Sequence, residues 1–423
     1  MLEEAEAAVT GECCIYRVPF DIRKLNQDAY TPKVVSIGPF HHKGNPRLQK
    51  MEKHKLNYCN EFLKRSNTSL ESWIRYIQDV EPRFRSCYSD DLDFTKEELV
   101  KIIFVDSGFI FELFWRSYYE DYSGNNESIF LKPWVTTNVR LDLLLLENQL
   151  PFFVLDHLFN NLFMLSYTST SGPGGDKRIP PFIKFTLDYF AFYNRSELKI
   201  DDVSKIKHFT DLLRTFHLQR PLPRRMDKTV VHLPSAAELS EAGVRFKANT
   251  TSNCCLLDLK FSGSVLEIPQ LKVQDWTELL FRNMVALEQC HYPYDSFVTD
   301  YVAVFDFLVN TSRDVDILVR KGVLVNWLGD SDSVADMFNG LWKNVTHVNF
   351  SFDYYKISQD LNAFCRNPWH NLISTLRRDY CKTPWQTAVS IAGIVLLILS
   401  LVQSVCSVLQ VMQQFDVSSP PKT

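Results

Sequence analysis

At 423 residues, 45% hydrophobic and 13% aromatic, the chain can bury a large core, and its length allows two or three domains. A formal net charge of −4 excludes the overall basic character of a nucleic-acid-binding protein. With 14 Gly and 19 Pro and no repeat of fixed period, it is neither fibrous nor low in complexity.

Residues 1–14 form a short acidic extension with no apolar core of the kind a secretory signal needs. From Cys14 to Asn45 the chain is aromatic, apolar and punctuated by proline without a helical period. That composition predicts an irregular arm or short strands laid over the core. Leu48, Met51, Lys55, Tyr58, Cys59 and Phe62 then recur at three- and four-residue steps, which predicts a helix over 47–63. Further helices are expected at 70–80, 95–118 and 141–150, the second of these capped by Thr95 with acidic residues in its first turn. Leu141 to Phe159 is strongly apolar, but Glu147 and Asp156 break it and Pro151 interrupts it. The expectation is a buried helix kinked or broken at the proline, not a membrane span.

Residues 168–181 are small, polar and rich in Gly and Pro, the clearest loop in the chain, and read as a domain boundary or a flexible insertion. A second loop, 219–228, gathers Arg220, Arg224, Arg225 and Lys228. It reads first as a solvated loop and second as a dock for an acidic partner or anionic lipid head groups. Ser235 and Glu238 have capping-box spacing, and Gly243 is placed to end the helix they start. Leu257, Leu259 and Phe261 alternate with Asp258 and Lys260, Ser262-Gly263 turns the chain, and Leu266 and Ile268 flank Glu267. This is the pattern of a β-hairpin with one buried face. Helices follow from a cap at Asp275 to about Cys290, and at 297–310, 314–321 and 333–344.

Sites of chemistry are sought by motif. No nucleophile elbow, Walker loop, dinucleotide fingerprint or His-Glu-x-x-His pair occurs, and Gly172-PGGDK has only the composition of a phosphate loop. Asp330 and Asp332 suggest a Ca²⁺ loop, but Val334 stands where an oxygen ligand is needed, so a helix N-cap explains them better. His41 and His42, with His54 and Cys59, make an awkward metal set, because neighbours in extended chain point to opposite faces. Cys13-Cys14 and Cys254-Cys255 read as small apolar residues. We therefore assign no catalytic, cofactor-binding or metal-binding residue, and expect a protein that is not an enzyme, binds no cofactor and binds no nucleic acid.

The last apolar run carries no charge from Thr383 to Phe415, and Ala388–Leu409 is its most apolar stretch. About 20 apolar residues span a bilayer core, so residues 385–411 are expected to form a transmembrane helix with Trp385 at the interface and membrane lipid as its partner. The Gln403 amide, costly in lipid, calls for a partner helix. Residues 412–423 form a short tail. Arg366, Arg377, Arg378 and Lys382 precede the span and only Lys422 follows it, which places the soluble region on the cytosolic side of a plasma or internal membrane. Asn-x-Ser/Thr sequons at Asn67, Asn126, Asn194, Asn249, Asn310, Asn344 and Asn349 argue for the other side. So short a motif also arises by chance, and chance is the reading preferred.

Long stretches resemble the plant family of domain of unknown function 247, also called UPF0481 proteins. They include Ile15-YRVP, Ala29-YTPKVVSIGPFHH, Asp142-LLLLENQLPFFVL, Pro234-SAAELSEAGVRFK, Leu280-FRNMVALEQCHY and Asn326-WLGDSD, and they run from Ile15 to the end of the chain. The resemblance implies a soluble family domain over 15–380, a single C-terminal membrane helix, no established enzymatic activity and no catalytic residues to carry over. Members have been linked to recognition in grass self-incompatibility. Together these readings give a mainly α (α+β) fold, a helical globular domain with a small β-hairpin. The expected protein is membrane-anchored and acts in recognition or signalling through an unidentified protein partner. The alternative is a membrane-associated enzyme with an unrecognised active site.

Overall fold

The computed structural model describes residues 11–66, 69–119, 132–164, 179–203, 205–228, 230, 232–251, 253–367 and 384–417. The insertion up to residue 178, the sequons Asn67 and Asn126, the basic residues Arg377, Arg378 and Lys382, and the extreme tail lie outside them.

The arm is irregular, one of the two forms its composition allows, with one helical turn, α1 (Phe20–Arg23), and a 3₁₀ turn at Gln27–Tyr30. Three long helices follow: α2 (Pro46–Ser66), α3 (Leu70–Ser86) and α4 (Lys96–Tyr119). Proline occupies the first position of α2, where no N–H is needed. Thr95 and Glu98 exchange hydrogen bonds at the head of α4 (3.2 and 2.8 Å). α3 runs six residues beyond the expected end and through Pro82, because its apolar face continues to Phe84 and Arg85 is tied to Glu81 and to two loop carbonyls. α2 and α4 approach closely at Gly108, where a Cβ would stand 2.4 Å from the Cys59 sulfur.

Aromatic side chains dominate the core between these helices. Phe62 lies 4.6 Å from Phe163 and 5.2 Å from Phe111, and Phe114 stacks on Tyr189 at 4.3 Å. Offset and edge contacts of this kind add to the burial each ring already brings.

The expected helix over 141–150 is a correction. α5 (Pro133–Asp142) ends where that helix was to begin, and residues 143–151 form successive tight turns. α6 (Phe152–His157) starts only after Pro151, and a π-helical turn at Leu158–Phe163 extends it. Four leucines in a row carry no information on turns; the bonds of the polar residues beside them decide the path, as described below.

α7 (Phe182–Tyr189) and α8 (Phe209–His217) complete this half. The second half mixes short strands with helices. β1 (Arg225–Met226) comes first, and α9 (Ala236–Glu241) has the expected capping box and ends at Gly243, whose φ is +99°. β2 (Arg245–Asn249), β3 (Lys260–Ser262) and β4 (Val265–Pro269) make one sheet. β3 and β4 are the expected hairpin, with Phe261 opposite Leu266. β2 runs parallel to β4 and was not foreseen, nor was the parallel pair of β5 (Leu271–Val273) with β6 (Leu324–Asn326).

Around the strands pack α10 (Thr277–His291), α11 (Phe297–Leu308), α12 (Ser312–Arg320) and α13 (Ser331–Leu341). Asp330 caps α13 by accepting the Ser333 N–H at 2.6 Å, so the Asp-rich segment is a cap as read. The cap expected at Asp275 is not made: Trp276 is the N-cap, and Thr277 instead accepts the Gln274 N–H. β7 (Phe350–Ser351) pairs with β1 and leads into α14 (Phe352–Arg366).

The final helix, α15 (Pro384–Val417), is six residues longer at its end than the expected span. Its window Ile391–Gln410 is long and apolar enough to cross a membrane, and none of that window is buried inside the protein. Ser404 and Ser407 donate to carbonyls one turn back (2.9 and 2.8 Å), so their hydroxyls are satisfied within the helix.

Candidate functional site

Two assemblies of polar side chains stand out, and they differ in kind. The first is a buried hub around residues 142–149. Asp142 accepts the N–H groups of Lys33, Val34 and Val35 (2.9, 2.7 and 2.9 Å). Asn148 accepts the Ile37 N–H and donates to the Val35 and Asp142 carbonyls. Gln149 donates to the Leu143 and Leu145 carbonyls and accepts the Phe209 N–H. Asn283 of α10 reaches in to accept the Leu146 N–H and donate to the Ala29 carbonyl.

Beyond one bridge of Ile15 to Tyr88, the described arm has its backbone paired largely by side chains, which burial demands. Gly38 shows how tightly the arm is laid. Its φ is +72°, and a Cβ there would meet the Gln149 carbonyl oxygen at 2.4 Å.

Charges in the hub are paired too. Lys55, wholly buried, reaches Asp106 at 2.5 Å, Glu52 at 2.7 Å and the Ser36 carbonyl at 2.8 Å. Glu147 meets Arg23 at 2.5 Å and the Val18 N–H at 2.8 Å. Burial works against its ionisation, yet His41, the Val18 N–H and Arg23 hold its carboxyl below the usual range. Burial pushes the Asp142 carboxyl the other way, up to about 7, against the pull of its three N–H donors. His208 is buried between Cys14 and Asp211: one ring nitrogen faces the Cys14 carbonyl (2.9 Å) and the other accepts the Asp211 N–H. Only the neutral ring can accept the Asp211 N–H while its other nitrogen donates to Cys14, and burial lowers its pKa to about 4.

The histidines considered for a metal part company. His41 turns to Glu147 at 3.3 Å, and the His42 ring meets Phe94 edge-on. The basic loop is largely structural as well. Arg225 is clamped by Asp300 and Asn349, and Arg220 pairs with Asp202 at 3.1 Å.

The second assembly is a cleft of about 350 Å³ between α10, β5, the 3₁₀ turn Ala191–Tyr193 and the loop after β2. Its floor is Leu280, Phe281 and Met284 of α10, with Phe281 stacked on the buried Tyr301 ring at 5.9 Å. Asn194 closes a turn on Leu198 through both ends of its amide, which presents Arg195 to the cleft. Arg195 donates to the Gln270 carbonyl at 2.8 Å, and the Cys254 sulfur lies 3.9 Å from its other arm. His217 lies beside it, its carbonyl accepting from the Cys255 thiol at 3.0 Å. Burial, and then Arg195, lower the His217 pKa to about 4. Lys272 stands exposed on the rim. None of the described residues lining the cleft is an Asp or Glu.

No motif in the sequence marks this cleft. Arg195 lies within a sequon and Lys272 in a three-residue strand, and only the packing of α10 against the turn brings them together.

The family described as "Plant protein of unknown function", DUF247, matches residues 15–399. The chain belongs to this family. Two members in Arabidopsis thaliana are similar along nearly their whole length. The UPF0481 protein At3g47200 is 29% identical, over 96% of this chain and 88% of its own. The putative UPF0481 protein At3g02645 is 24% identical, over 91% and 88%. No solved structure matches. Asp142, Asn148 and the arm backbone they bind lie inside two of the stretches by which the chain resembles the DUF247 family, Ala29–His42 and Asp142–Leu155.

Proposed function

We propose that this DUF247 protein is a membrane-anchored recognition component, held by α15 with its globular domain on the cytosolic side. The observation that carries the reading is the helix itself: an apolar window, Ile391–Gln410, with none of its surface buried by the rest of the chain. In water such a surface is a liability, and in a bilayer it is matched to its surroundings. The cytosolic assignment draws support from the sequons. Asn349 is buried with its amide donating to the Tyr294 carbonyl, and the amides of Asn194 and Asn249 are engaged with Leu198 and Glu267, which leaves them poor acceptors of glycan in the folded protein. Recognition rather than catalysis is supported by the fate of the buried charged groups: those in the hub spend their bonding capacity on backbone and on one another.

The test is alkaline carbonate extraction of the full chain from plant microsomes, with glycosidase and protease treatment of the intact vesicles. The full chain is expected in the pellet, unchanged in mass by glycosidase and digested by external protease. A chain released by carbonate would refute the anchor. A loss of mass with protection of the domain would reverse the side. Proximity labelling from the cytosolic face then identifies the protein partner.

A further inference from the structure

Arginines that are buried or half-buried in this domain are, as a rule, paired. Arg65, Arg116, Arg214, Arg225 and Arg282 each have a carboxylate oxygen within 3.1 Å. Two depart from this: Arg140, which lies over the Tyr189 ring, and Arg195, which faces a cleft. Among the described residues no carboxylate pairs with Arg195 or with Lys272, although both border the same cleft. The adjoining hollow, across the shared Gln274, carries the opposite charge through Asp275, Glu278 and Asp336. Acids are therefore present nearby and segregated from the two cations.

We propose that the cleft binds a small organic anion with an apolar body, its charged group held by Arg195 and Lys272 and its body laid on Phe281 and Met284. The volume of about 350 Å³ falls within the range of sites for small molecules, and an apolar floor with a few placed polar groups is their usual construction. Arg195 is suited to the charged end. Its hydrogen bond to the Gln270 carbonyl fixes the guanidinium, and most of its five N–H donors stay available for an anion. Lys272, exposed and mobile on its stem, adds a second charge at the mouth. Thr250 and Thr251, which also line the cleft, add neutral hydroxyl donors. The inference is independent of the anchor and its topology, since every residue it uses belongs to the globular domain.

Calorimetry on the full chain in phosphatidylcholine nanodiscs, with empty nanodiscs as the blank, tests it. The probes are naphthoate, phenylbutyrate and octanoate, with naphthamide as the uncharged counterpart of the first. At least one acid is expected to bind at a single saturable site with Kd below roughly 1 mM, and naphthamide about tenfold more weakly than naphthoate, because a charge-assisted bond is lost. Binding by octanoate alone would assign an acyl ligand, and binding by naphthoate an aromatic one. Arg195→Gln should weaken the acids about tenfold and leave the amide unchanged. Lys272→Gln, at an exposed position, should weaken them about threefold without touching the fold, which thermal melting checks. The proposal is overturned if none of the acids binds below roughly 1 mM, if acid and amide bind alike, or if both variants bind the acids as the native chain does.

Discussion

The molecule contains two long apolar runs of similar composition and opposite fate. Leu141–Phe159 is folded into turns and short helices within the domain, while the window Ile391–Gln410 lies in one continuous helix with no part of it buried. The difference lies in a few polar atoms. Asp142, Glu147, Asn148 and Gln149 each meet partners supplied by distant chain, and they hold the run in a path no helix could take. Ser404 and Ser407 bond within their own helix, a pattern that needs nothing from outside. Whether an apolar run becomes core or spans a bilayer depends less on its leucines than on where its polar groups find partners.

The comparison can be broken most directly at Asn148. Asn148→Leu makes the first run more apolar, yet it orphans the Ile37 N–H and the Val35 carbonyl and leaves the Asp142 carbonyl with only the Leu145 N–H. At about 1–3 kcal/mol for each of the two buried groups left unpaired, the loss should be on the order of 2–6 kcal/mol, read as a lower denaturation midpoint or as insoluble protein. In the second run the opposite change does the damage. Leu397→Arg should cost about 3 kcal/mol of insertion and shift the chain toward the carbonate supernatant, while the melting of the domain stays constant. An unchanged pellet fraction would deny that the helix is a span.

Acid sharpens the contrast further. His208 is neutral in the fold with its pKa near 4, whereas the unfolded chain protonates it near 6.5, so the unfolded state binds the extra proton between these values. Its contribution is complete above pH 6.5 and is lost as pH falls to 4, with a slope of about 1.4 kcal/mol per pH unit. Among its charged neighbours, Asp211 opposes the shift, while His291 and Lys207 reinforce it. His208→Asn keeps an acceptor for the Asp211 N–H and should flatten that part of the stability–pH curve. α15, with no titratable hub, should extract identically across the same range. The smallest effect is expected at a purely local signal: Ser235→Ala removes one bond of the α9 capping box and should lower stability by about 1 kcal/mol.

These cases divide what could be read in the chain from what could not. The capping box at Ser235, the Asp330 cap, the hairpin at β3–β4 and the long helices were legible, because each is specified by residues within a few positions of one another. The apolar helix at the C-terminus was legible for the same reason, since its length and composition are properties of one segment. The parallel pairings β2–β4 and β5–β6 were not, and neither was the path of residues 143–151. A parallel partner lies across a crossover, and Asn148 is explained only by Ile37 and Val35, which local reading cannot place beside it. The cleft is the extreme case. Arg195 and Lys272 carry no spacing signal, and only the fold sets them at one cleft, without an acidic partner among the described residues. The sequence by itself determined family, helical class and the apolar helix, all of them sums over neighbouring residues. Tertiary structure alone decided which polar groups are consumed in holding the fold and which are left facing a cleft, because that depends on contacts between segments far apart in the chain.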